Sequence, residues 1–505
     1  MDDNSGAQPS IAVVGSGFSG IGLAIRLRQA GFRDVWIYEK HGDVGGVWRD
    51  NTYPGAACDA PSHLYSYSFL PKPDWSRRFA EQPEILGYLR ACADDAGLRP
   101  RILFDTEIVD ARYDRTGRQW TLSAADGATY TADVLISACG QLSTPSYPNI
   151  PGLADFAGTV FHSARWDHEH DMSGRDVAVI GNGASAIQLV PHLAEVAGSL
   201  TIFQRQPYWI SPKPDTEYAR LRGPLNRRIP LLHRIPRLMI FLWFEMVLNP
   251  MLVSERGRKL LAAPIRWWCR WNLRKIADPA LRAALTPDYE LGCNRILTSN
   301  EYYDTLNRDN TRVVTEPITG IEGAALRTAD GRTHRVDTIV LATGFRSHDF
   351  VAPMTVVGPD GVDLVTAWDE RPRAYLGLSV PGFPNFFLMY GPNTNVGSGS
   401  IVHMLESQMN YIVDALRTMR RTGGYLDLRP EVLDAFDERV QEQLADTVWN
   451  TGGCHSWYIA DTSRGPANTN NWPESMRSYR RRTRTLNPAL YRIAPARERM
   501  TRVEN

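Results

Sequence analysis

The stretch "IAVVGSGFSGIGLAIRLRQAG", residues 11–31, determines the fold of the N-terminal part of the chain. Its apolar start predicts a buried β-strand, the glycines predict a tight turn, and the apolar spacing after them predicts a helix. Gly15 permits the sharp turn, Gly17 lets the backbone approach a pyrophosphate, and Gly20 permits close packing of the helix on the strand. The helix would then present free N–H groups and its positive dipole end to phosphate.

A second predicted strand, "DVWIYEK" at residues 34–40, ends at Glu39. An acidic residue at this place accepts hydrogen bonds from ribose hydroxyls in dinucleotide-binding folds. Strand, glycines, helix and acidic residue stand in register, which is far more specific than a glycine motif alone. The alternative interpretation is a glycine turn with a purely structural role.

The pattern repeats at residues 176–207, "DVAVIGNGASAIQLVPHLAEVAGSLTIFQRQP", with Gly181, Gly183 and Ala186. Here the second strand ends in "QRQ", so that Arg205 stands where the first unit has its carboxylate. A guanidinium can bind a 2′-phosphate bidentately, whereas a carboxylate would repel it. We therefore predict FAD in the first unit and NADPH in the second, with Arg205 and Gln206 in contact with the nucleotide. The fold class is α/β, with two Rossmann-like dinucleotide-binding domains and a helical insertion.

Composition limits the other possibilities. The 56 basic and 56 acidic residues balance, which gives no electrostatic reason to expect nucleic acid. Six cysteines without any CxxC disfavour a redox dithiol pair, a zinc knuckle and a secreted disulfide framework, and no metal site is predicted. The acidic, polar N-terminus is not a signal peptide, so we expect a cytoplasmic protein.

One apolar run, "LMIFLWFEMVLNPMLV" at residues 238–253, is interrupted by Glu245 and Pro250. It is shorter than the roughly 20 residues that a membrane span requires, so no transmembrane segment is predicted. The pattern favours a buried helix, and contact with a membrane surface is the alternative.

Two further stretches carry a resemblance to a known family. Residues 45–59, "GGVWRDNTYPGAACD", and residues 156–167, "FAGTVFHSARWD", resemble the two fingerprints of type I Baeyer–Villiger monooxygenases, a group of class B flavoprotein monooxygenases. The sequence "HSARW" and the short N-terminus resemble those of the 4-hydroxyacetophenone monooxygenase-like branch of this family. The matched positions are Gly46, Trp48, Tyr53, Pro54, Gly55 and Asp59 in the first fingerprint, and Phe156, Gly158, His162, Trp166 and Asp167 in the second.

The resemblance implies an enzyme that uses FAD, NADPH and O2. It would insert one oxygen next to a ketone carbonyl through a C4a-peroxyflavin, giving an ester or lactone. Catalytic roles would fall to Arg295 of "GCNR", as the cation that keeps the peroxide negative, and to Asp59, which would hold Arg295 in place. The second fingerprint would form a hinge between the FAD and NADPH domains. Further cofactor contacts are implied for Gly46, Val47, Trp48, Asp59, Tyr65, Arg295 and Trp457.

One departure from the family pattern bears on cofactor selectivity. Asn294 stands before Arg295, where the family commonly has a Lys that assists recognition of the 2′-phosphate. Selectivity for NADPH over NADH is therefore expected to be weaker than the family norm.

Two other functions stay open: an N- or S-oxygenating flavin monooxygenase, and a flavoprotein oxidase or scaffold without oxygenase turnover. The sequence gives no indication of oligomeric state.

The domain organisation follows from the motifs. Residues 1–145 and 346–505 are expected to form the FAD-binding domain, and 155–210 and 293–345 the NADPH-binding domain. Residues 211–292 are rich in Arg, Trp and Leu and predict a helical insertion, which we expect to line the approach to the active site.

Overall fold

The first glycine motif lies in a five-stranded parallel sheet. The computed structural model describes residues 8–219, 222–229 and 231–495. Residues 11–14 form the central strand and are apolar on both faces. Ile11 and Val13 are buried in the same cluster as helix Phe18–Gln29, and Ala12 and Val14 in the same cluster as strands Ile108–Asp114 and Gln119–Ala124. In spatial order the strands are Phe386–Leu388, Val134–Ser137, Ile11–Val14, Val35–Tyr38 and Ile102–Leu103.

The second glycine motif lies in a second sheet of the same kind. The two parallel sheets confirm the predicted α/β class with two Rossmann-like units. In spatial order the strands are Thr311–Val314, Ser199–Phe203, Asp176–Ile180, Thr338–Leu341 and Thr159–His162.

The remaining strands form smaller sheets. A four-stranded sheet contains Thr355–Val357, Ile108–Asp114, Gln119–Ala124 and Thr129–Ala132. A three-stranded antiparallel sheet contains Ile318–Glu322, Ala325–Thr328 and Thr333–Arg335. The two-stranded pairs are Ile210–Ser211 with Leu297–Thr298, Gly424–Leu428 with Tyr491–Pro495, and Ile459–Thr462 with Gly465–Asn468.

Helices cover the sheets and form the insertion. The helix after each glycine motif begins directly behind the last glycine of its turn, at Phe18 and at Ala184. The α-helices are Phe18–Gln29, Val47–Asp50, Gln82–Asp95, Ala184–Val196, Arg222–Arg228, Leu231–Trp243, Asn249–Val253, Glu255–Leu273, Pro279–Ala284, Tyr302–Thr305, Leu364–Trp368, Ile401–Thr422, Pro430–Ala445, Val448–Thr451 and Met476–Arg482, with a π-helix at Phe244–Leu248 and 3₁₀ turns at Arg99–Arg101, Leu153–Asp155, Ser163–Arg165 and Pro488–Leu490.

The apolar run at 238–253 corrects a prediction. It belongs to a continuous helical stretch, Leu231–Val253, that is long and apolar enough to cross a membrane by length and composition, yet only 11% of its apolar window is buried. The predicted buried helix is therefore wrong. Apolar composition indicates that one side of the helix avoids water, but it does not indicate what covers that side. No described element packs over the exposed side of this helix. Few residues of 211–292 reach the main cavity, namely Ala284, Thr286 and Asp288.

Candidate active site

Both glycine motifs open onto one cavity of about 1600 Å³. Most of the predicted site residues line it, although they come from parts of the chain more than 400 residues apart. The predicted residues on its wall are Gly15, Gly17, Glu39, Gly46, Val47, Trp48, Asp59, Tyr65, Gly181, Gly183, Arg205, Gln206, Arg295 and Trp457. Gly20 and Ala186 are not on the wall. A Cβ on Gly20 would lie 1.9 Å from the carbonyl oxygen of Gly15, so its place is the contact between helix and turn.

The first glycine turn is shaped to admit a phosphate group. Gly15 has a φ of +105°, and a Cβ there would lie 2.6 Å from the carbonyl oxygen of Ala138. Gly17 faces Gly46 of the first fingerprint. A Cβ added to Gly46 would lie only 3.1 Å from the Cα of Gly17. Because neither residue has a side chain, the backbone at the start of helix Phe18–Gln29 stays open to the cavity. This is the cradle that a dinucleotide pyrophosphate requires.

Glu39 is held at the end of its strand by neighbouring donors. One carboxylate oxygen accepts hydrogen bonds from the Ser16 backbone N–H (3.0 Å) and hydroxyl (2.6 Å), and the other from Arg49 at 3.0 Å and the His41 backbone N–H at 3.1 Å. The residue is 4% exposed and lines the cavity. A carboxylate offers about four acceptor sites, and these four hydrogen bonds occupy them, so a ribose hydroxyl would take the place of a donor such as the Ser16 hydroxyl, which can rotate away. Sequence reasoning missed Arg49, which sets the orientation of Glu39.

Trp48 and Tyr65 meet on the cavity wall. The indole N–H of Trp48 donates a hydrogen bond to the Tyr65 hydroxyl at 3.0 Å, and the two rings pack edge to face. Burial raises the pKa of Tyr65 well above its ordinary value, so the phenol keeps its proton. Since that hydroxyl already accepts from Trp48, its own proton is available to an acceptor in the cavity.

Arg295 and Asp59 form a bidentate ion pair inside the cavity. The Nε and Nη2 groups of Arg295 donate to the two carboxylate oxygens of Asp59, both at 2.7 Å. The two side chains remain 35% and 27% exposed, because they face the cavity. Asp59 raises the pKa of Arg295 above its ordinary value. Burial opposes ionisation of Asp59, but the guanidinium outweighs it and lowers the pKa of the carboxyl.

Two tyrosines near this pair were missed by sequence reasoning. Tyr390 and Tyr458 are close enough to interact electrostatically with Arg295, and burial raises the pKa of each above its ordinary value. Tyr390 lines the cavity and donates a hydrogen bond to Asn395 at 3.2 Å. Tyr458 follows Trp457, whose ring lies 4.4 Å from its own. No local sequence pattern identified either tyrosine, because their proximity to Arg295 arises only through the fold.

A disulfide joins Cys293 to Cys454, which are 161 residues apart in the chain. The sequence prediction included no such bond, because cysteine spacing along a chain does not report proximity in space. The bond fastens the loop that carries Arg295 to the loop that carries Trp457. Two active-site segments are thus tied to each other covalently.

The second glycine turn mirrors the first. Gly181 has a φ of +112°, and a Cβ there would lie 2.3 Å from the carbonyl oxygen of Ala342, while Gly183 opens onto free space. Arg205 is exposed and forms no salt bridge with any described residue, so its guanidinium is available. Asn294 reaches the same place, since its side-chain amide donates to the Gln206 side chain at 3.4 Å.

The first fingerprint joins the two glycine units. The Tyr53 hydroxyl donates to the Gln188 side chain at 2.8 Å, on the helix of the second unit. A Cβ on Gly55 would lie 2.5 Å from the ring of His192 on that same helix. Glycine is therefore required at 55 by close packing, a requirement that the motif did not explain from sequence.

The second fingerprint lies beside two connecting segments that run together. Ser146 donates a backbone hydrogen bond to Gly344, and Pro145 pairs with Phe345 as an antiparallel bridge. The His162 ring lies between Tyr147 and Phe345, one from each segment. His162 is buried, is not on the cavity wall, and has its pKa lowered to about 4 by that burial. Its position fits the predicted hinge better than direct contact with a substrate.

Similarity to known proteins agrees with this geometry. The chain is 44% identical over 492 residues to a Baeyer–Villiger monooxygenase of Streptomyces coelicolor, covering 96% of this chain and 93% of that protein. The chain belongs to the Baeyer–Villiger monooxygenases. Residues 12–234 also match the broader family described as Pyridine nucleotide-disulphide oxidoreductase.

Solved Baeyer–Villiger structures share the whole fold. A steroid monooxygenase bound to NADP superposes with a TM-score of 0.82 at 31% identity, covering 94% of this chain and 97% of that one. The OTEMO complex with FAD and NADP superposes with a TM-score of 0.84 at 28% identity, covering 96% and 100%. Among the described residues of this Baeyer–Villiger monooxygenase, no group of three or more His, Cys, Asp and Glu could hold a metal ion.

Proposed function

We propose that this chain binds FAD in its first glycine unit and NADPH in its second, and inserts one oxygen atom of O2 beside a ketone carbonyl to give an ester or lactone. The observation that carries the proposal is the Arg295–Asp59 pair on the wall of a cavity that both glycine units share. When bound, the two cofactors supply hydride transfer and the reduction of O2.

The FAD site is assigned to the first unit. The backbone at Gly15, Gly17 and Gly46 would admit the pyrophosphate, and Glu39 would accept from a ribose hydroxyl in place of one of its present donors. Gly20 supports the turn from behind. Val47, Trp48 and Tyr65 lie on the same wall, where the hydroxyl of Tyr65 is free to donate.

Arg295 supplies a fixed positive charge where oxygen is transferred. An oxygen that attacks a carbonyl carbon must act as a nucleophile, and a nearby cation stabilises its negative charge. The Asp59 carboxylate raises the pKa of the guanidinium further, so Arg295 does not release a proton that would neutralise that charge. A lysine at this place could release one. The same cation would stabilise the oxyanion formed when the carbonyl is attacked.

Asp59 acts by orienting Arg295. Two parallel hydrogen bonds leave the guanidinium a single orientation relative to the carboxylate and direct its remaining N–H groups elsewhere. The disulfide between Cys293 and Cys454 restrains the loop that carries Arg295. Asp59 is therefore assigned a positioning role beside the cofactor.

The NADPH site is assigned to the second unit. Gly181 and Gly183 admit the pyrophosphate, with Ala186 packed behind them. Arg205 and Gln206 bind the 2′-phosphate side, and Asn294 holds the Gln206 side chain instead of adding a second cation. Trp457, on the wall of the same cavity, would contact the nicotinamide end of the nucleotide, as the family resemblance implies. Selectivity for NADPH therefore rests on one unpaired guanidinium.

The proposal also covers the domain limits, the substrate class, the location in the cell and the branch of the family. We assign residues 1–145 and 346–505 to the FAD-binding domain, 155–210 and 293–345 to the NADPH-binding domain, and 211–292 to the insertion. Within these limits, residues 1–7, 220–221, 230 and 496–505 lie outside the part of the chain that the structure describes. The substrate is a ketone, and the enzyme acts in the cytoplasm. The "HSARW" sequence of the second fingerprint supports placement in the 4-hydroxyacetophenone monooxygenase-like branch.

The decisive experiment is a screen for oxygen transfer. The purified protein, loaded with FAD, is incubated with NADPH, ¹⁸O₂ and a panel of cyclic and aryl ketones, with amines and sulfides in parallel. We expect an ester or lactone carrying one ¹⁸O, formed at about one molecule for each NADPH consumed. Oxidation of amines or sulfides alone, with every ketone recovered unchanged, would refute the Baeyer–Villiger assignment for this chain. NADPH consumption that yields only hydrogen peroxide would indicate an oxidase.

A further inference from the structure

The helical stretch Leu231–Val253 contacts the protein through polar groups and through apolar side chains such as Phe241 and Phe244, and its other side, also apolar, faces water. Arg237 donates hydrogen bonds to the backbone carbonyls of His63 (2.7 Å) and Ser66 (3.0 Å). Glu245 accepts a hydrogen bond from the backbone N–H of Met476 at 2.8 Å. The usual amphipathic helix of a soluble protein has one apolar stripe that faces the core, whereas this helix carries a second apolar side that faces water.

The exposed side of this helix, which we term the outer face, is continuous. Its residues recur every three or four positions, so they share one side over about four turns. Met239 and Met246 are the most open, at 65% and 67% exposed. The outer face comprises Leu231, Leu232, Ile235, Leu238, Met239, Leu242, Trp243 and Met246.

The next helix, Glu255–Leu273, adds exposed tryptophans. It packs back against the end of the first helix, so the two form a hairpin around Ser254. Leu260, Trp267 and Trp271 recur at helical spacing on its exposed side, and Trp268 lies beside them. Exposed tryptophan is costly in water but is enriched at membrane interfaces, where the ring meets acyl chains and the N–H meets headgroups.

Unpaired basic residues surround these apolar side chains. Residues 227–275 contain eleven Arg and Lys against two Glu. Among them, five arginines are exposed and form no salt bridge within the described part of the chain: Arg228, Arg234, Arg256, Arg270 and Arg274. Apolar residues edged by basic ones match an anionic lipid surface in both polarity and charge.

We propose that the hairpin 231–273 docks on the surface of an anionic phospholipid bilayer, with the outer face buried at the boundary between headgroups and acyl chains. The helix lies in the membrane surface and does not cross it, because Arg237 and Glu245 bind its other side to the protein. A second copy of the chain fits less well. A symmetric dimer through this face would bring the unpaired arginines of both copies together without counter-charges.

Vesicle flotation with the FAD-loaded protein tests the proposal. Vesicles of phosphatidylcholine alone are compared with vesicles containing about 30% phosphatidylglycerol. We expect flotation with the anionic vesicles, little with the neutral ones, and release by salt as charges are screened. Equal binding to both vesicles, or no binding to either, would overturn the proposal. Dimerisation at this face without vesicle binding would assign the surface to a second copy.

Matched variants identify the surface responsible. Met239→Gln with Met246→Gln should reduce partitioning about tenfold, because both residues lie in the buried part of the bilayer contact. Val365→Gln, 60% exposed on another part of the molecule, should not change it. Arg270→Gln should reduce binding to anionic vesicles roughly fivefold, whereas Arg335→Gln, exposed elsewhere, should have no effect. Flavin content and melting temperature serve as folding controls, and the assay does not depend on turnover.

Discussion

Arg295 and Asp59 are 236 residues apart in the chain and form two parallel hydrogen bonds of 2.7 Å. Asp59 ends the first fingerprint, while Arg295 lies just beyond the helical insertion. The fold thus brings a segment beside the first glycine unit against a segment beside the second. A charge-assisted bidentate pair of this kind fixes orientation as well as charge, which is the property that a transition-state cation needs.

Replacing Arg295 should separate cofactor reduction from oxygen transfer. In Arg295→Ala we expect FAD reduction by NADPH to remain largely intact, while ketone oxygenation falls by roughly 10²-fold or more, because the cation near the transferred oxygen is lost. Stopped-flow absorbance follows flavin reduction, and mass spectrometry follows the product. Arg295→Lys is the matched control that keeps the charge but loses the bidentate pair. Parental rates of ketone oxygenation in Arg295→Ala would show that the assigned role is wrong.

Arg205 should set the preference for NADPH. In Arg205→Gln we expect the KM for NADPH to rise by about tenfold to a hundredfold, since a charge-assisted contact to the 2′-phosphate is removed, with little change for NADH. Steady-state kinetics with both nucleotides measures the ratio. Asn294→Lys tests the opposite direction and should sharpen selectivity for NADPH. If the parent protein already used NADH more efficiently than NADPH, the assignment of Arg205 would have to be withdrawn.

The disulfide predicts a defined thiol count. The structure leaves four free cysteines, Cys58, Cys92, Cys139 and Cys269. Titration in denaturant without reductant should therefore find four thiols, and six after reduction. Because the bond ties the Arg295 loop to the Trp457 loop, Cys454→Ser should lower the product formed for each NADPH and raise hydrogen peroxide. Cys269→Ser, which is buried outside this bond, is the control and should leave the coupling unchanged.

Burial of His162 should make stability depend on pH. Its pKa is lowered to about 4 in the folded protein, whereas in the unfolded chain it titrates near its ordinary value of 6.5. Between these values the unfolded state binds more protons, so stability falls as the pH decreases from about 6.5 towards 4. The loss amounts to roughly 3 kcal/mol across that window.

Chemical denaturation at pH 5 and pH 7 checks this dependence. His162→Asn keeps an acceptor for the Ala164 backbone N–H, which donates to the ring at 3.1 Å, but removes the titrating group. Its stability should change less between the two pH values than that of the parent. His168→Gln, at an exposed position, should behave like the parent. An identical pH dependence in His162→Asn and the parent would contradict the proposed origin of the effect.

The glycine units show what local sequence can predict. Each needs a strand, a turn and a helix within about 30 consecutive residues, so the constraints at Gly15 and Gly181 are local and visible in the pattern. The fold class was predicted for that reason. The Asp59 and Arg295 positions came from the family resemblance, because no local rule connects residues on opposite sides of an insertion.

Other features could not be predicted from the pattern. The Cys293–Cys454 bond, the two tyrosines beside Arg295 and the contact of Gly55 with His192 all join segments far apart in sequence. The outer face of helix 231–253 was misassigned to the core, because periodicity identifies an apolar side but not its neighbour.

Local sequence specifies the two dinucleotide folds, because each depends on short-range geometry. Glu39 in one fold and Arg205 in the other predict the difference between their cofactors, because that difference depends on local charge. Tertiary structure alone decided that both folds open onto one cavity, that Arg295 meets Asp59 there, and that an apolar helix faces outward. Such features depend on which distant surfaces are packed together, and that choice is made by the chain as a whole.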